Sequence, residues 1–297
     1  MVFKVAAKWR DVPVRDFLMT GQGMSRRLIS ALKRDGEINI NGEPVHVNRL
    51  LNEGDTVEII LPQAKAGVEL QSSPLDILFE DEFFIAVNKP ASMPCHPSMG
   101  HKNGTLANFV AGYFYESGIK DTVRMPARID ANTTGIVLVS KNKYVNGQLL
   151  NTLSLAKTEK IYMAAVCGKL PEKGVIDAPI GRSDGSIIQR EVRPDGQKAV
   201  TLYERIRVCK NIFSDCPKEY SLAKVKIETG RTHQIRVHMS HIGHPLLGDW
   251  LYGIETKEFA RHMLHLRSIS FEHPITGEKI KITAPYPEDM SRLFLEE

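Results

Sequence analysis

The sequence has few of the features that define several broad protein classes. Four of its 297 residues are cysteines, Cys95, Cys167, Cys209 and Cys216, and they form no C-x-x-C pair. This spacing argues against a zinc cage and a dense disulfide framework, and it is typical of reduced thiols in the cytosol. No apolar run approaches the roughly 18 residues that a membrane helix needs. We therefore expect no membrane span.

Charge of one sign is not strongly in excess either. The chain has 39 Lys and Arg against 35 Asp and Glu, a formal net charge of +4. This mildly basic balance permits a polyanionic partner but is also common in proteins that bind none. Residues 1–10 contain no long apolar run, so we expect no secretory signal and a cytoplasmic location. A hydrophobic content of 42% predicts a globular protein with a sizeable core and room for a second domain.

The first sixty or so residues predict a small α/β module. A helix is expected to begin after Ser25, which is placed as its N-cap, and to end near Gly36. Alternating Ile38 and Ile40, followed by Asn41-Gly42, predict a strand and a tight turn. The predicted helix is basic, with four cationic residues: Arg26, Arg27, Lys33 and Arg34.

A polar segment without periodicity, Pro62 to Pro74, predicts an interdomain linker. Beyond it, extended segments such as Phe83–Val87 and Gly135–Ser140 alternate irregularly with helical ones such as Thr105–Phe114. This mixture predicts an α+β domain with a mainly antiparallel mixed sheet. The predicted bounds are 1–62 for the N-terminal domain, 63–74 for the linker and 75–297 for the second domain.

A polar loop directly before an apolar strand is the first candidate functional segment. It runs from Arg128 to Gly135 and contains Asp130. On an extended backbone Arg128 and Asp130 share a face, so the arginine could keep the carboxylate ionised or hold a phosphate beside it. The alternative interpretation of these eight residues is a structural turn. In that turn Asp130 caps backbone amides and Arg128 makes a surface ion pair.

The second candidate segment, residues 229–238, contains two arginines at a predicted helix start. Ile235 and Met239 recur at helical spacing as a buried stripe, and Arg236 lies off that stripe. A helix start with exposed amides beside Arg231 and Arg236 is a candidate anion site. A well-capped surface helix fits the segment equally well.

Histidines in and after this segment raise the question of a metal. None fits the H-E-x-x-H pattern, and their spacing points them in different directions around a helix. We therefore predict no bound metal, and we expect structural histidines or RNA contacts. The four residues are His233, His238, His241 and His244.

Together these segments resemble the RluA-type family of pseudouridine synthases, in order and over nearly the whole chain. Residues 128–135 resemble the catalytic loop of the family, Lys160-Ile161-Tyr162 its tyrosine strand and Gly230 to His238 its arginine motif, with Gly248-Asp249 among the supporting matches. The N-terminal module resembles an S4 RNA-binding domain. One departure is Ala127, where the family often has histidine.

The resemblance implies that the chain isomerises uridine to pseudouridine in RNA and needs no cofactor. Asp130 would be the nucleophile, Arg236 would pair with it, and Tyr162 would pack against the target base and could remove a ribose proton. Arg128 would fill the gap left by the extruded nucleotide, and Arg231, His233 and Thr134 would help to bind the substrate. The basic helix of the S4-like domain would bind RNA.

The S4-like domain favours large-subunit ribosomal RNA as the substrate, with transfer RNA as the alternative, and the resemblance implies a monomer. Two other functions compete with this interpretation. One is a catalytically inactive S4-type protein that only binds RNA. The other is an aspartate-dependent glycosidase, which usually needs two carboxylates flanking the bond, and the sequence offers no convincing second carboxylate.

Overall fold

The computed structural model describes residues 1–62, 67–154, 157–210, 218–253, 256 and 258–294. Cys216 and the first residues of the predicted linker, 63–66, lie outside this part of the chain. Within it, no helix combines the length and the apolar character needed to cross a membrane.

The N-terminal unit is a four-stranded antiparallel sheet in the order β1-β4-β2-β3. A short helix α1 continues as a π-helix, and a longer helix α2 follows. The bounds are β1 Val2–Lys4, α1 Val14–Asp16, π-helix Phe17–Gly21, α2 Arg26–Asp35, β2 Glu37–Ile40, β3 Glu43–Pro44 and β4 Thr56–Ile60. The domain bounds and the likeness to an S4 domain stay predictions.

Helix α2 begins and ends where the sequence predicts. The Ser25 side chain accepts a hydrogen bond of 3.2 Å from the Leu28 amide, which confirms the predicted N-cap. Leu28, Ile29 and Leu32 are buried. The opposite face is exposed and carries the four predicted cations, Arg26, Arg27, Lys33 and Arg34.

The second unit is built on a nine-stranded sheet in the order β5-β6-β7-β14-β8-β13-β12-β9, with β15 beside β14. The pairing of β14 with β7 is parallel and the other described pairings are antiparallel, so the predicted mixed, mainly antiparallel sheet is confirmed. The strands are β5 Ile77–Glu80, β6 Phe84–Lys89, β7 Thr134–Ser140, β8 Glu159–Cys167, β9 Lys173–Asp177, β12 Val200–Lys210, β13 Glu219–Ile227, β14 Leu264–Glu272 and β15 Lys279–Thr283.

A separate hairpin and four helices complete the described part of this unit. The hairpin pairs β10 (Ile180–Arg182) with β11 (Arg190–Val192). The helices are α3 Leu106–Glu116, α4 Lys143–Ser154, α5 Gln234–His241 and α6 Glu288–Phe294. Helix α3 begins at a capping box between Thr105 and Asn108, which fixes its first turn.

The N-terminal unit packs against α4. The Tyr144 hydroxyl donates to the carbonyl of Gln22 at 3.1 Å, and the Gln148 side-chain amide donates to the same carbonyl at 2.9 Å. The Phe3 ring lies edge-on to the Tyr144 ring, with 6.1 Å between their centroids. These contacts connect the end of the π-helix, directly before α2, to the large sheet.

Gly135 allows β7 and β14 to approach each other closely. Its φ of +109° is a conformation that L side chains rarely adopt, and a Cβ added there would collide with the carbonyl oxygen of Leu266. The parallel pairing of His265 with Thr134 therefore depends on a glycine after Thr134. This pairing fixes the polar loop of residues 128–133 at the start of β7.

Candidate active site

Asp130 lies in the loop before β7, and its side chain keeps 27% of its surface exposed. Arg236, from α5, donates a hydrogen bond of 3.3 Å from Nη1 to Asp130 Oδ2. Tyr162 stands on β8 and is 7% exposed. Burial raises the pKa of the Tyr162 hydroxyl, and the negative charge of Asp130 raises it further, so this phenol is protonated at neutral pH.

Arg236 is held by a second carboxylate that the sequence did not reveal. Its Nε and Nη2 donate hydrogen bonds of 2.8 Å each to the two oxygens of Asp249, whose side chain has no exposed surface. Burial alone would raise the pKa of Asp249, but the hydrogen bonds and charge of Arg236 outweigh burial and lower it. The family resemblance includes Gly248-Asp249 among its supporting matches but assigns no role to Asp249. The buried pair also shows that Arg236 faces carboxylates rather than a solvent-exposed anion site.

His233 precedes α5 and approaches the same oxygen of Asp130 that Arg236 contacts. Its Nδ1 lies 2.8 Å from the Tyr252 hydroxyl, and its Nε2 lies 3.9 Å from Asp130 Oδ2. Burial lowers the pKa of this imidazole more than the Asp130 charge raises it, so His233 is neutral at neutral pH. Tyr252 was also missed, because no local pattern marks it.

Lys89 and Cys95 hold the loop from behind. The buried Lys89 ammonium donates hydrogen bonds of 2.7 Å to the carbonyls of Pro90 and Ala131, and the Cys95 thiol donates to the carbonyl of Ile129 at 3.4 Å. Burial lowers the pKa of Lys89 to about 8. The carbonyls on both sides of Asp130 are therefore fixed, which orients the carboxylate toward Arg236.

The segment around β14 fixes the rest of the loop. Arg261 Nη1 donates to the carbonyl of Asn132 at 3.1 Å, and His262 Nε2 lies 2.8 Å from the Thr133 hydroxyl. The Thr134 hydroxyl lies 2.9 Å from His265 Nδ1, and Thr134 is 3% exposed. Thr134 thus joins the loop to β14, and its predicted substrate-binding role stays a prediction.

Arg236 contacts the Asp130 carboxylate, whereas Arg128 and Arg231 form no ion pair with it in the described part of the chain. Arg128 is exposed, and within the described ranges it forms no ion pair, so the pairing of Arg128 with Asp130 considered from the sequence is wrong. Arg231 is also exposed, and its Nε donates to the carbonyl of Lys198 at 3.0 Å. The predicted substrate-binding roles of Arg128 and Arg231 stay predictions.

Two of the other histidines have structural contacts. His238 bonds through both ring nitrogens, to the Thr201 hydroxyl and the Ala178 carbonyl at 2.9 Å each, and His244 Nδ1 lies 2.9 Å from the Cys167 carbonyl. In the part of the chain that the structure describes, no three His, Cys, Asp or Glu residues form a group that could hold a metal ion.

These features define a candidate active site with one accessible carboxylate, Asp130, an arginine anchored by Asp249, and a protonated tyrosine whose pKa the Asp130 charge raises. The second carboxylate, Asp249, is sealed from solvent and occupied by Arg236. It cannot flank a scissile bond, which argues against the glycosidase alternative.

The comparisons with known proteins identify the family. The model of the RNA pseudouridylate synthase family matches residues 83–241. A Bacillus subtilis protein, Uncharacterized RNA pseudouridine synthase YjbO, is 40% identical over 276 residues, which cover 92% of this chain and 95% of that protein. Ribosomal large subunit pseudouridine synthase D of Xanthomonas campestris is 33% identical over 290 residues, covering 91% of this chain and 84% of that protein.

A solved structure, Human RNA Pseudouridylate Synthase Domain Containing 1, has the same fold, with a TM-score of 0.57 at 23% identity, covering 72% of this chain and 84% of that one. The chain belongs to the RNA pseudouridylate synthase family. It is an RNA pseudouridine synthase, an isomerase, as the sequence predicts.

Proposed function

We propose that this enzyme isomerises specific uridines of large-subunit ribosomal RNA, with Asp130 as the nucleophile. The observation that supports this role for Asp130 is its geometry. Asp130 keeps a quarter of its side chain exposed, while Arg236, anchored by Asp249, contacts one of its oxygens at 3.3 Å. A positioned carboxylate with a cationic partner is what an attack on an electrophilic carbon requires.

The reaction exchanges one bond to the ribose for another. Asp130 attacks either the ribose anomeric carbon or the uracil ring, the bond from N1 to the ribose breaks, and the base turns and rejoins the sugar through C5. The bond to Asp130 then breaks and regenerates the carboxylate. The proton on C5 is released and N1 takes up a proton from solvent, so the reaction consumes no oxidant and no second substrate. The structure supports either point of attack, because both need the same exposed carboxylate.

Tyr162 is positioned to pack against the target base. Because its hydroxyl is protonated at neutral pH, it can take a ribose proton only if its own proton moves on at the same time. The negative charge of Asp130 raises the pKa of Tyr162, so the carboxylate acts electrostatically on this phenol. We propose that Tyr162 acts in concert with Asp130 and not as a free phenolate.

RNA must be opened before Asp130 can reach a ribose. Extruding a stacked nucleotide costs a few kcal/mol, which phosphate contacts offset. The exposed cations of α2 supply such contacts, and exposed Arg128, two residues from Asp130, supplies a side chain for the gap that the nucleotide leaves.

Two kinds of support favour ribosomal RNA over transfer RNA. Relatives such as the Xanthomonas campestris protein are named for the ribosomal large subunit. The N-terminal unit, with its basic helix packed on a small sheet, fits an S4-like RNA-binding role. We propose a cytoplasmic location, where such RNA is found.

The test is pseudouridine mapping by chemical derivatisation and sequencing in cells with wild-type protein, a deletion or Asp130→Ala. We expect the same large-subunit sites to be lost in both mutants. Loss of sites in transfer RNA instead would show that transfer RNA is the substrate. Sites that survive Asp130→Ala but are lost in the deletion would contradict the role of Asp130 as the nucleophile. If no site changes in either mutant, purified protein on transcribed ribosomal RNA decides whether the chain only binds RNA.

A further inference from the structure

We infer that Tyr252 is a positioning residue that fixes the tautomer of His233, so that His233 presents an Nε2–H group to Asp130. The inference rests on the proposed role of Asp130 as the nucleophile. Tyr252 lies in the segment after Asp249, 19 positions beyond His233, and the two side chains meet through a hydrogen bond of 2.8 Å.

The hydrogen bonds around the Tyr252 hydroxyl determine where its proton points. The Arg190 backbone N–H donates to the Tyr252 oxygen at 2.8 Å. A phenol has one proton to donate, and His233 Nδ1, also 2.8 Å away, is the acceptor beside it. His233 Nδ1 is then unprotonated, and a neutral imidazole in that state carries its proton on Nε2.

That Nε2–H group faces the catalytic carboxylate. Nε2 lies 3.9 Å from Asp130 Oδ2, the same oxygen that accepts from Arg236 Nη1 at 3.3 Å. A distance of 3.9 Å is too long for a hydrogen bond, but catalytic hydrogen bonds often shorten when the substrate binds. Two donors on Oδ2 would leave Oδ1 as the attacking atom.

The backbone conformation of His233 supports the proposed orientation of its imidazole. Its φ of +58° lies in the left-handed region, which is unfavourable for a residue with a Cβ. This conformation begins α5 and turns the imidazole toward Tyr252 and Asp130. The surrounding contacts must maintain such a conformation, and the hydrogen bond to Tyr252 is one of them.

The ring and the hydroxyl of Tyr252 have separable contacts. The Arg236 guanidinium lies over the ring, 5.0 Å from its centroid, whereas the hydroxyl bonds to His233 and to the β11 residue Arg190. Tyr252→Phe keeps the cation–π contact and removes the hydroxyl. Tyr286 offers a matched control, because Arg267 likewise lies over its ring, 4.5 Å from the centroid.

The first measurement reads the tautomer directly. Long-range proton–nitrogen NMR of histidine side chains, with the His233 signals assigned by their loss in His233→Gln, reports which ring nitrogen carries the proton. We expect wild type and Tyr286→Phe to show the Nε2–H tautomer, and Tyr252→Phe to shift toward Nδ1–H. A wild-type Nδ1–H tautomer, or no change in Tyr252→Phe, would overturn the inference.

The second measurement is the single-turnover release of tritium from RNA that contains 5-tritiated uridine, at saturating enzyme. We expect Tyr252→Phe to slow release by roughly tenfold to a hundredfold, as for other groups that orient a catalytic side chain, with RNA affinity unchanged. His233→Gln, which keeps an N–H donor near the Nε2 position, should be faster than His233→Asn. Tyr252→Phe should add nothing in the His233→Gln background.

Additive effects of Tyr252→Phe and His233→Gln, or equal rates for the Gln and Asn variants, would contradict the role of the Nε2–H donor. No tritium release by the wild type would contradict the proposed function instead. The NMR experiment does not depend on activity, so the two failures are distinguishable.

Discussion

Arg236 bonds to Asp249 through two hydrogen bonds of 2.8 Å and to Asp130 through one of 3.3 Å. The stronger pair is fully buried, and the weaker one reaches the surface. Asp249 therefore anchors the guanidinium, and Asp130 shares its remaining Nη1 group. This arrangement keeps a positive charge beside Asp130, the proposed nucleophile, and contacts only one of its two oxygens.

Asp249→Asn should damage both activity and stability. The amide keeps the size of the side chain but leaves a buried guanidinium without its charged partner, which typically costs 3–5 kcal/mol. We expect a fall in the free energy of unfolding on this order in urea and a loss of tritium release of about a hundredfold or more. Glu159→Gln, which breaks the exposed pair with Lys226 at 2.9 Å, is the control and should cost less than about 1 kcal/mol. Equal losses in the two variants would contradict the anchoring role.

Lys89→Met should show whether Lys89 supports the loop that carries Asp130 or contributes to RNA binding. It removes the donor to the carbonyls of Pro90 and Ala131, so we expect a lower single-turnover rate with unchanged RNA affinity. A reduced affinity at an unchanged rate would place Lys89 in RNA binding instead.

Stability against pH gives a second readout of Lys89. Burial lowers its folded pKa to about 8, below the unfolded value of 10.5, so the unfolded state binds more protons between these values. The free energy of unfolding of wild type should therefore rise, relative to Lys89→Met, by about 1.4 kcal/mol per pH unit between pH 8 and 10. Urea unfolding at pH 7, 8, 9 and 10 measures this difference, and parallel curves would show that Lys89 titrates normally.

Two buried histidines should make the fold sensitive to acid. Burial lowers the pKa of His262 to about 3 and of His265 to about 4, from 6.5. As the pH falls from 6.5 toward 4, the unfolded chain takes up protons at these positions and the folded chain does not, so each histidine removes about 1.4 kcal/mol per pH unit. His265→Asn, which keeps a polar group near Thr134, should reduce the slope of unfolding free energy against pH by that amount. An unchanged slope would mean that His265 is protonated in the fold.

The exposed face of α2 should control the salt dependence of RNA binding. Arg26→Ala combined with Arg27→Ala removes two exposed cations, so the slope of log affinity against log salt should flatten by about 1.4 to 1.8. The rate on saturating RNA should stay the same. Arg292→Ala, an exposed arginine on α6, is the control. If both changes alter the slope equally, α2 does not face the RNA.

Local patterns predicted the elements whose signals lie within one turn or one strand. Ser25 marks the start of α2, and the predicted helical segment Thr105–Phe114 contains most of α3. The sequence also suggested β6 and β7 from their apolar runs. These elements need no information from distant residues, because capping and periodicity act over a few positions.

The partners of Asp130 depend on tertiary packing and could be predicted only in part. Family resemblance predicted the pair of Arg236 with Asp130, which are 106 positions apart. No local sequence pattern identifies Asp249 or Tyr252, because their contacts form only when α5 packs beside the loop that carries Asp130. Strand β14 was missed too, since its mixture of His265, Arg267 and Ser268 hides its buried face.

The parallel pairing of β7 with β14 can form only late in the synthesis of the chain, because β14 lies near its C-terminal end. Thr134 and His265, which hold the loop together, are separated by 131 positions. Chains fold from the N-terminus as they emerge from the ribosome, and contacts between distant positions form late. The nascent chain therefore exposes Asp130 long before β14 exists to fix it.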